Sequence, residues 1–226
     1  MRTSPPTIYV IDDDEQIRTL LRDLCHDAGF EAKLFGSTDK FLAEQLSDGP
    51  SCLVLDVRFP GTSPTGLDLQ QALANSGVLV PIVFISGYSD IRVSVEAMKR
   101  GAVEFLPKPF REQELLDAIR LGLERDRRRM ERELVVQEER RRFEKLTVRE
   151  RDILLLIADG LVAKQIAARL NVSETTVKVR RARMMQKLQL RSPVEVVRLV
   201  DNIRPDFATT RQRVVAPNGP AVSRGF

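Results

Sequence analysis

Five short runs rich in β-branched and aliphatic residues, each followed by a stretch of helical periodicity, constrain the first half of this chain more than any other feature. The runs are TIYVI (7–11), EAKLF (31–35), CLVLD (52–56), PIVFI (81–85) and VEFLP (103–107). Helix-period segments occupy 15–28, 37–46, 67–76, 90–100 and 112 onward, with Ser89 and Gly101 placed to cap and stop the fourth. Strands alternating with helices of this length build βαβ units, in which parallel strands are joined by right-handed crossovers. The first, third and fourth runs are apolar almost throughout, as strands covered on both faces are. The fold class is therefore α/β, a doubly wound parallel sheet.

In such a sheet, binding sites form beyond the carboxyl ends of the strands. Those ends carry Asp12 and Asp13 after the first strand, Asp56 on the third, Ser86 after the fourth and Lys108 after the fifth. Clustered carboxylates repel, at a cost of roughly several kcal/mol in a partly buried setting. A hard divalent cation removes that cost, because Mg²⁺ takes oxygen ligands and keeps several waters; Mn²⁺ is the natural substitute. The competing explanation makes Asp12–Asp14 the cap and first-turn acids of the next helix. Asp14 and Glu15 fit it well. For Asp12 and Asp13 it does not explain why Asp56, Ser86 and Lys108 fall at the matching strand ends.

Composition narrows the alternatives. The single histidine, His26, lies away from this edge, and Cys25 and Cys52 have no metal or disulfide spacing. Zinc and Cys–His chemistry are set aside. No apolar run approaches the ~18 residues of a membrane span, and MRTSPPTIYV does not read as an export signal. A cytoplasmic protein with no membrane partner is expected. The net charge of +4 hides a division: residues 1–121 carry 12 Lys/Arg against 18 Asp/Glu, and residues 122–226 carry 24 against 14. An acidic half joined to a basic one points to two modules, the second suited to a polyanion.

VIDDDE (10–15), LVLDVRFPG (53–61), VFISGYSD (83–90) and AMKRGAVEFLPKPF (97–110) together resemble the receiver domain of two-component response regulators. The resemblance implies a five-stranded sheet of order 2-1-3-4-5. It also implies that Asp56 accepts a phosphoryl group from a sensor histidine kinase or a small acyl phosphate. Asp13, Asp56 and the backbone carbonyl of Arg58 would bind Mg²⁺ directly, and Asp12 through a water. Lys108 and Ser86 would contact phosphoryl oxygens, with the Lys108–Pro109 bond cis. Ser86 and Phe105 would form the switch pair that remodels the face of helix 4, strand 5 and helix 5; taken alone, Phe105 reads equally as a core aromatic. Arg58 and Tyr88 stand where relatives tune hydrolysis. The loop RFPGTSPTGLDL is two residues longer than the compact form common in relatives.

The basic half is all helical, with breaks at Gly160, Asn171–Ser173 and Ser192–Pro193. AKQIAARL, the turn NVS and ETTVKVRRARMMQKL have helix-turn-helix form. Ser173 caps the second helix, and Thr147 with Glu150 forms a capping box. Ile166, Ala167, Leu170, Val172 and Val177 supply an apolar core. Between 174 and 191 there are six Lys/Arg and one acid, a cationic face suited to phosphates. LTVRERDILLLIADGL, KQIAARL and SETTVKV are similar to the LuxR-type domain of NarL/FixJ regulators. That places the helix-turn-helix at about 163–182. Thr175, Thr176, Lys178, Val179 and Arg181 would lie at the groove of double-stranded promoter DNA, with Lys164, Arg183 and Lys187 on phosphates. Arg180 stands where relatives often carry His. The last helix, about 192–202, would dimerise through Val194 and Val197, with packing in its own domain explaining part of its stripe.

The expected organisation is a receiver (5–121), a helical linker (122–145), a small four-helix DNA-binding domain (146–204) and a disordered tail (205–226). The linker's stripe of Leu116, Ile119, Leu123, Met130 and Leu134 is interrupted at Asp126–Arg127, and leaves a coiled coil and a solvated helix equally open. The expected function is a phosphorylation-controlled transcriptional regulator that homodimerises on activation. It would be no enzyme beyond its own phosphorylation and dephosphorylation. Two alternatives stand: a receiver used as a phosphorylation-independent interaction module, and a phosphohydrolase acting through Asp56 on an external substrate.

Overall fold

The computed structural model describes residues 5–59, 65–87 and 91–212, with the backbone alone for 204–212. The chain divides into two units, Met1–Glu131 and Arg132–Phe226.

In the first unit, β1 (Thr7–Ile11), β2 (Glu31–Phe35), β3 (Ser51–Asp56), β4 (Ile82–Ser86) and β5 (Glu104–Pro107) form one parallel sheet of order β2-β1-β3-β4-β5. Alternation along the central strands divides the core. Ile8, Val10, Val54, Val83 and Ile85 face α1 (Glu15–Asp27) and α5 (Glu112–Glu144). Tyr9, Ile11, Leu53, Leu55 and Phe84 face α2 (Thr38–Leu42), α3 (Gly66–Asn75) and α4 (Ile91–Lys99). The chain order reverses between β1 and β3, so their following loops diverge and open a crevice at that end of the sheet. Both cysteines are free and buried, and burial pushes the Cys25 thiol up to about 11.

Two elements differ from the periodicity. Helix α2 ends at Leu42 rather than near 46. Beyond it the Ser47 N–H donates to the Tyr9 hydroxyl at 2.6 Å and Lys33 pairs with Glu44, tying the chain to the sheet. Helix α5 keeps packing on the sheet past 121, where the receiver was expected to end. Leu123 is buried, and a Cβ at Gly122 would come 2.6 Å from Cys52 Sγ. Asp126, expected only as a break in an apolar stripe, is 1% exposed. Its Oδ2 accepts from the Ser51 N–H at 2.9 Å and its Oδ1 from Arg129 at 2.9 and 2.8 Å. Farther along, Leu134 is 65% exposed, and Arg128–Glu124, Arg142–Glu138 and Arg140–Glu144 line the surface as i,i+4 pairs.

The second unit packs α6 (Val148–Ala158), α7 (Ala163–Leu170), α8 (Glu174–Leu188) and α9 (Pro193–Gln212) around Ile153, Leu154, Ile166, Val177, Met184, Val196 and Leu199. The Thr147–Glu150 capping box and the Ser173 cap form as the sequence indicates. Helix α9 continues past Pro205 to Gln212, where the tail was expected to begin. Pro removes one backbone donor, and α9 is anchored ahead of it by Val196, Leu199, Val200 and Ile203. Residues 213–226, and with them most of the expected tail, lie outside the described residues.

Candidate functional site

The crevice gathers the residues that the strand ends deliver. Asp12 is fully buried, Asp56 and Ser86 are buried at the last positions of β3 and β4, and Asp13 is exposed at the rim. One carboxylate oxygen from each of Asp12, Asp13 and Asp56 lies within 4.8 Å of the others. Lys108 follows β5, with its bond to Pro109 cis and its N–H donating to the Ser86 carbonyl at 2.7 Å. Its ammonium meets Asp12 Oδ2 at 2.6 Å and Asp56 Oδ2 at 2.9 Å. Burial lowers the Lys108 pKa, but the hydrogen bonds it donates to Asp12 and Asp56 outweigh it and leave the group above its usual value. Burial pushes the Asp12 carboxyl up, opposed by Lys108 and by the Asp14 N–H donating to Oδ1 at 2.9 Å. Asp14 itself caps α1, accepting from the Gln16 N–H at 2.8 Å. Three oxygen donors around one partly open position suit a hard cation of the Mg²⁺ type, which binds through few carboxylates and keeps its waters.

The remaining receiver positions separate. The Arg58 N–H reaches Asp56 Oδ1 at 3.3 Å and its side chain is exposed. Phe105 is half-buried against Phe84, ring centroids 6.2 Å apart. Tyr88, Ser89 and the centre of the longer loop (60–64) lie outside the described residues. Two residues not singled out from sequence shape the site. A Cβ on Gly66 would stand 2.3 Å from the Asp56 carbonyl oxygen and 3.1 Å from Phe84 Cε1, so only glycine lets α3 approach this strand end. Arg18 Nη1 donates to the carbonyls of Asp12 and Asp13 at 2.7 and 2.8 Å. The glycine opening α3 was a readable signal; nothing local marked Arg18.

In the second unit the turn between α7 and α8 uses a left-handed Asn171, φ 52°, and the Ser173 hydroxyl accepts from the Thr176 N–H at 3.1 Å. At 100° per residue, α8 buries the face of Val177, Met184 and Leu188 and exposes Thr175, Lys178, Val179, Ala182, Arg183 and Gln186. Lys164 is exposed on α7. Lys178 pairs with Glu174 at 3.0 Å, within its own helix. Three expected contacts sit differently. Thr176 is half-buried, its hydroxyl 2.8 Å from that of Ser173. Arg181 is half-buried and lines a cavity of about 250 Å³ with Ile157, Gly160 and Pro193. Lys187 donates to both oxygens of buried Glu150 at 2.9 and 2.8 Å. Ala182 and Gln186, residue types that advertise no role, share the exposed face. In α9, Val194 is 76% exposed and Val197 also faces solvent, whereas Leu199 and Val200 belong to the core.

Residues 8–120 match the family model for the response regulator receiver domain, and residues 144–200 that for bacterial regulatory proteins of the luxR family. Nodulation protein W of Bradyrhizobium diazoefficiens is 44% identical over 208 residues, covering 92% of this chain and 91% of that protein. Response regulator protein TmoT of Ectopseudomonas mendocina is 39% identical over 206 residues, 90% of this chain and 92% of that one. The low-resolution structure of response regulator StyR aligns with a TM-score of 0.73 at 45% identity, covering 88% of this chain and 99% of its own. Full-length FixJ from B. japonicum aligns at 0.53 and 36% identity, covering 90% of this chain and 98% of its own. Among the described residues no helix is long and apolar enough to cross a membrane. With a receiver crevice in one unit and a helix-turn-helix in the other, this chain belongs to the two-component response regulators of the NarL/FixJ type, transcriptional regulators with a LuxR-type DNA-binding domain.

Proposed function

We propose that Asp56 is the phosphoacceptor of this regulator and that its phosphorylation by a sensor histidine kinase controls dimerisation and promoter binding. The observation that carries the reading is the single Lys108 ammonium within 2.6 and 2.9 Å of Asp12 and Asp56, beside Asp13. Asp13, Asp56 and the Arg58 carbonyl would hold Mg²⁺ directly and Asp12 through water. When bound, Mg²⁺ would supply positive charge to offset the clustered acids and a phosphoryl oxygen. An Asp56 carboxylate oxygen attacks phosphorus in line; the P–N bond of the phosphohistidine breaks, or the P–O bond of an acyl phosphate, and the donor leaves. Lys108 turns from Asp12 and Asp56 to a phosphoryl oxygen, and the Ser86 hydroxyl donates to another. Ser86 moves inward and Phe105 follows into the space it leaves. The exposed Ile91, Val95 and Met98 of α4 then supply an apolar face for a second copy. On DNA, the exposed face of α8 enters the major groove and α9 pairs through Val194 and Val197.

Acetyl phosphate with Mg²⁺ is expected to label the native chain with an acid-labile phosphoryl group and to leave Asp56→Asn unlabelled. Full labelling of the variant overturns the assignment. Beryllofluoride treatment of one sample should raise both its mass in solution and its DNA affinity; an unchanged mass and affinity in a labelled protein would favour the phosphorylation-independent module.

A further inference from the structure

We propose that Arg18 is a positioning residue for the cation site, acting through the backbone of the β1–α1 loop without touching the ion. This rests on the reading of Asp12, Asp13 and Asp56 as the metal-binding acids. Arg18 sits one turn into α1, and long helical side chains turn back toward the helix N-terminus. Its Nη1 donates to the carbonyl of Asp12 at 2.7 Å and to that of Asp13 at 2.8 Å. A Cβ on Gly36, beyond the end of β2, would touch the same nitrogen at 3.6 Å, so the neighbouring strand end walls the guanidinium in. The Asp12 N–H is tied to the Phe35 carbonyl at 3.2 Å, and the Asp12 side chain to Lys108 and the Asp14 N–H. Asp13 is exposed, and the hydrogen bond from Arg18 to its carbonyl fixes the peptide that aims its carboxylate. One donor shared between two consecutive carbonyls holds the two peptides at a set angle, and that angle fixes the spread of the acids.

Charge and geometry oppose each other here, which makes the inference testable by sign. The Arg18 guanidinium, held on the Asp12 and Asp13 carbonyls, brings a positive charge to the same loop and so disfavours a bound cation, and removing a mere charge would tighten metal binding. Removing a positioning group loosens it, by roughly tenfold or more for an outer-shell partner of a metal ligand. The test measures Mn²⁺ dissociation constants on the full chain from the free-ion electron paramagnetic resonance signal, with thermal unfolding followed in metal-free buffer. Arg18→Met should raise the constant about tenfold, and Arg18→Lys, which keeps a cationic donor on a shorter reach, several-fold. Metal-free stability should change little in either. Native or tighter Mn²⁺ binding by a folded Arg18→Met overturns the proposal. If Arg18→Met does not fold, Arg18→Lys takes its place, and native binding by it is equally fatal. A native chain that binds no Mn²⁺, or an Asp13→Asn chain that binds it as well as native, would instead bring down the metal reading itself and this inference with it.

Discussion

At Gly66 a methyl group has nowhere to go. An added Cβ would meet the Asp56 carbonyl oxygen at 2.3 Å and a Phe84 ring carbon at 3.1 Å, and backbone does not yield as a flexible side chain does. Gly66→Ala should therefore cost about 1–3 kcal/mol by overpacking, read from urea unfolding, and should slow acetyl phosphate labelling because β3 ends at the displaced atom. Native stability with native labelling would show that α3 can retreat. Glu150 makes a second prediction, through pH. Its hydrogen bond with Lys187, aided by the Thr147 cap, holds its carboxyl below the usual 4.5 despite burial. A lowered acid pKa contributes stability that is complete above pH 4.5 and lost as pH falls through the folded value. Hydrogen exchange of α6 and α8, taken relative to the intrinsic rate at each pH, should thus accelerate as pH drops below 4.5. In Glu150→Gln it should be faster than native at pH 7 but less sensitive to acid; parallel pH profiles would contradict this. Sequence revealed the acids here, because strand ends announce themselves, and offered a glycine at the start of α3, but not Arg18, whose role comes from a backbone contact that no residue type advertises.

At the level of elements, the strands were legible because apolar runs bounded by turn residues leave few alternatives. The far half of α5 was not. Periodicity treated Asp126 as an interruption, and the resemblance to receiver domains placed the receiver's end at about 121. The carboxylate instead turns inward and receives the first N–H of β3, with Arg129 closing over it. A buried acid of this kind looks like a solvated one in sequence; only its partner, 75 residues away, distinguishes them. Asp126→Ala leaves that N–H unsatisfied, a cost of about 1–3 kcal/mol. Amide exchange should rise at Ser51 and over 124–129 while 115–119, held by Leu115, Ala118 and Ile119, stays protected. Uniform acceleration along α5 would mean that the carboxylate supports the whole helix and not its distal half. Helix α2 was misjudged for a related reason: its pattern continues past Leu42, but Tyr9 and Lys33 claim the chain that follows.

At the scale of the whole molecule, an acidic receiver and a basic DNA-binding domain share one chain, and salt should act on only one of their tasks. Phosphate contacts make log affinity fall linearly with log salt concentration. Arg183→Ala, on the phosphates, should weaken DNA binding and flatten that slope by about 1, and Lys178→Ala, at the groove, should weaken binding most on the preferred sequence, measured by fluorescence anisotropy on DNA selected from a random pool, with acetyl phosphate labelling unchanged. Lys187→Ala should leave the slope alone and lower stability, since its ammonium already holds Glu150; a flatter slope there would return Lys187 to the DNA face. The Lys108 bridge has a wider consequence for such a regulator. Because the chain supplies its own counter-charge to Asp12 and Asp56, the receiver should stay folded when the cell's magnesium runs low. If signalling runs through Mg²⁺ as proposed, starvation for the ion would silence the response without generating unfolded protein for proteases to clear, and replenishment would restore signalling at once, with no new synthesis.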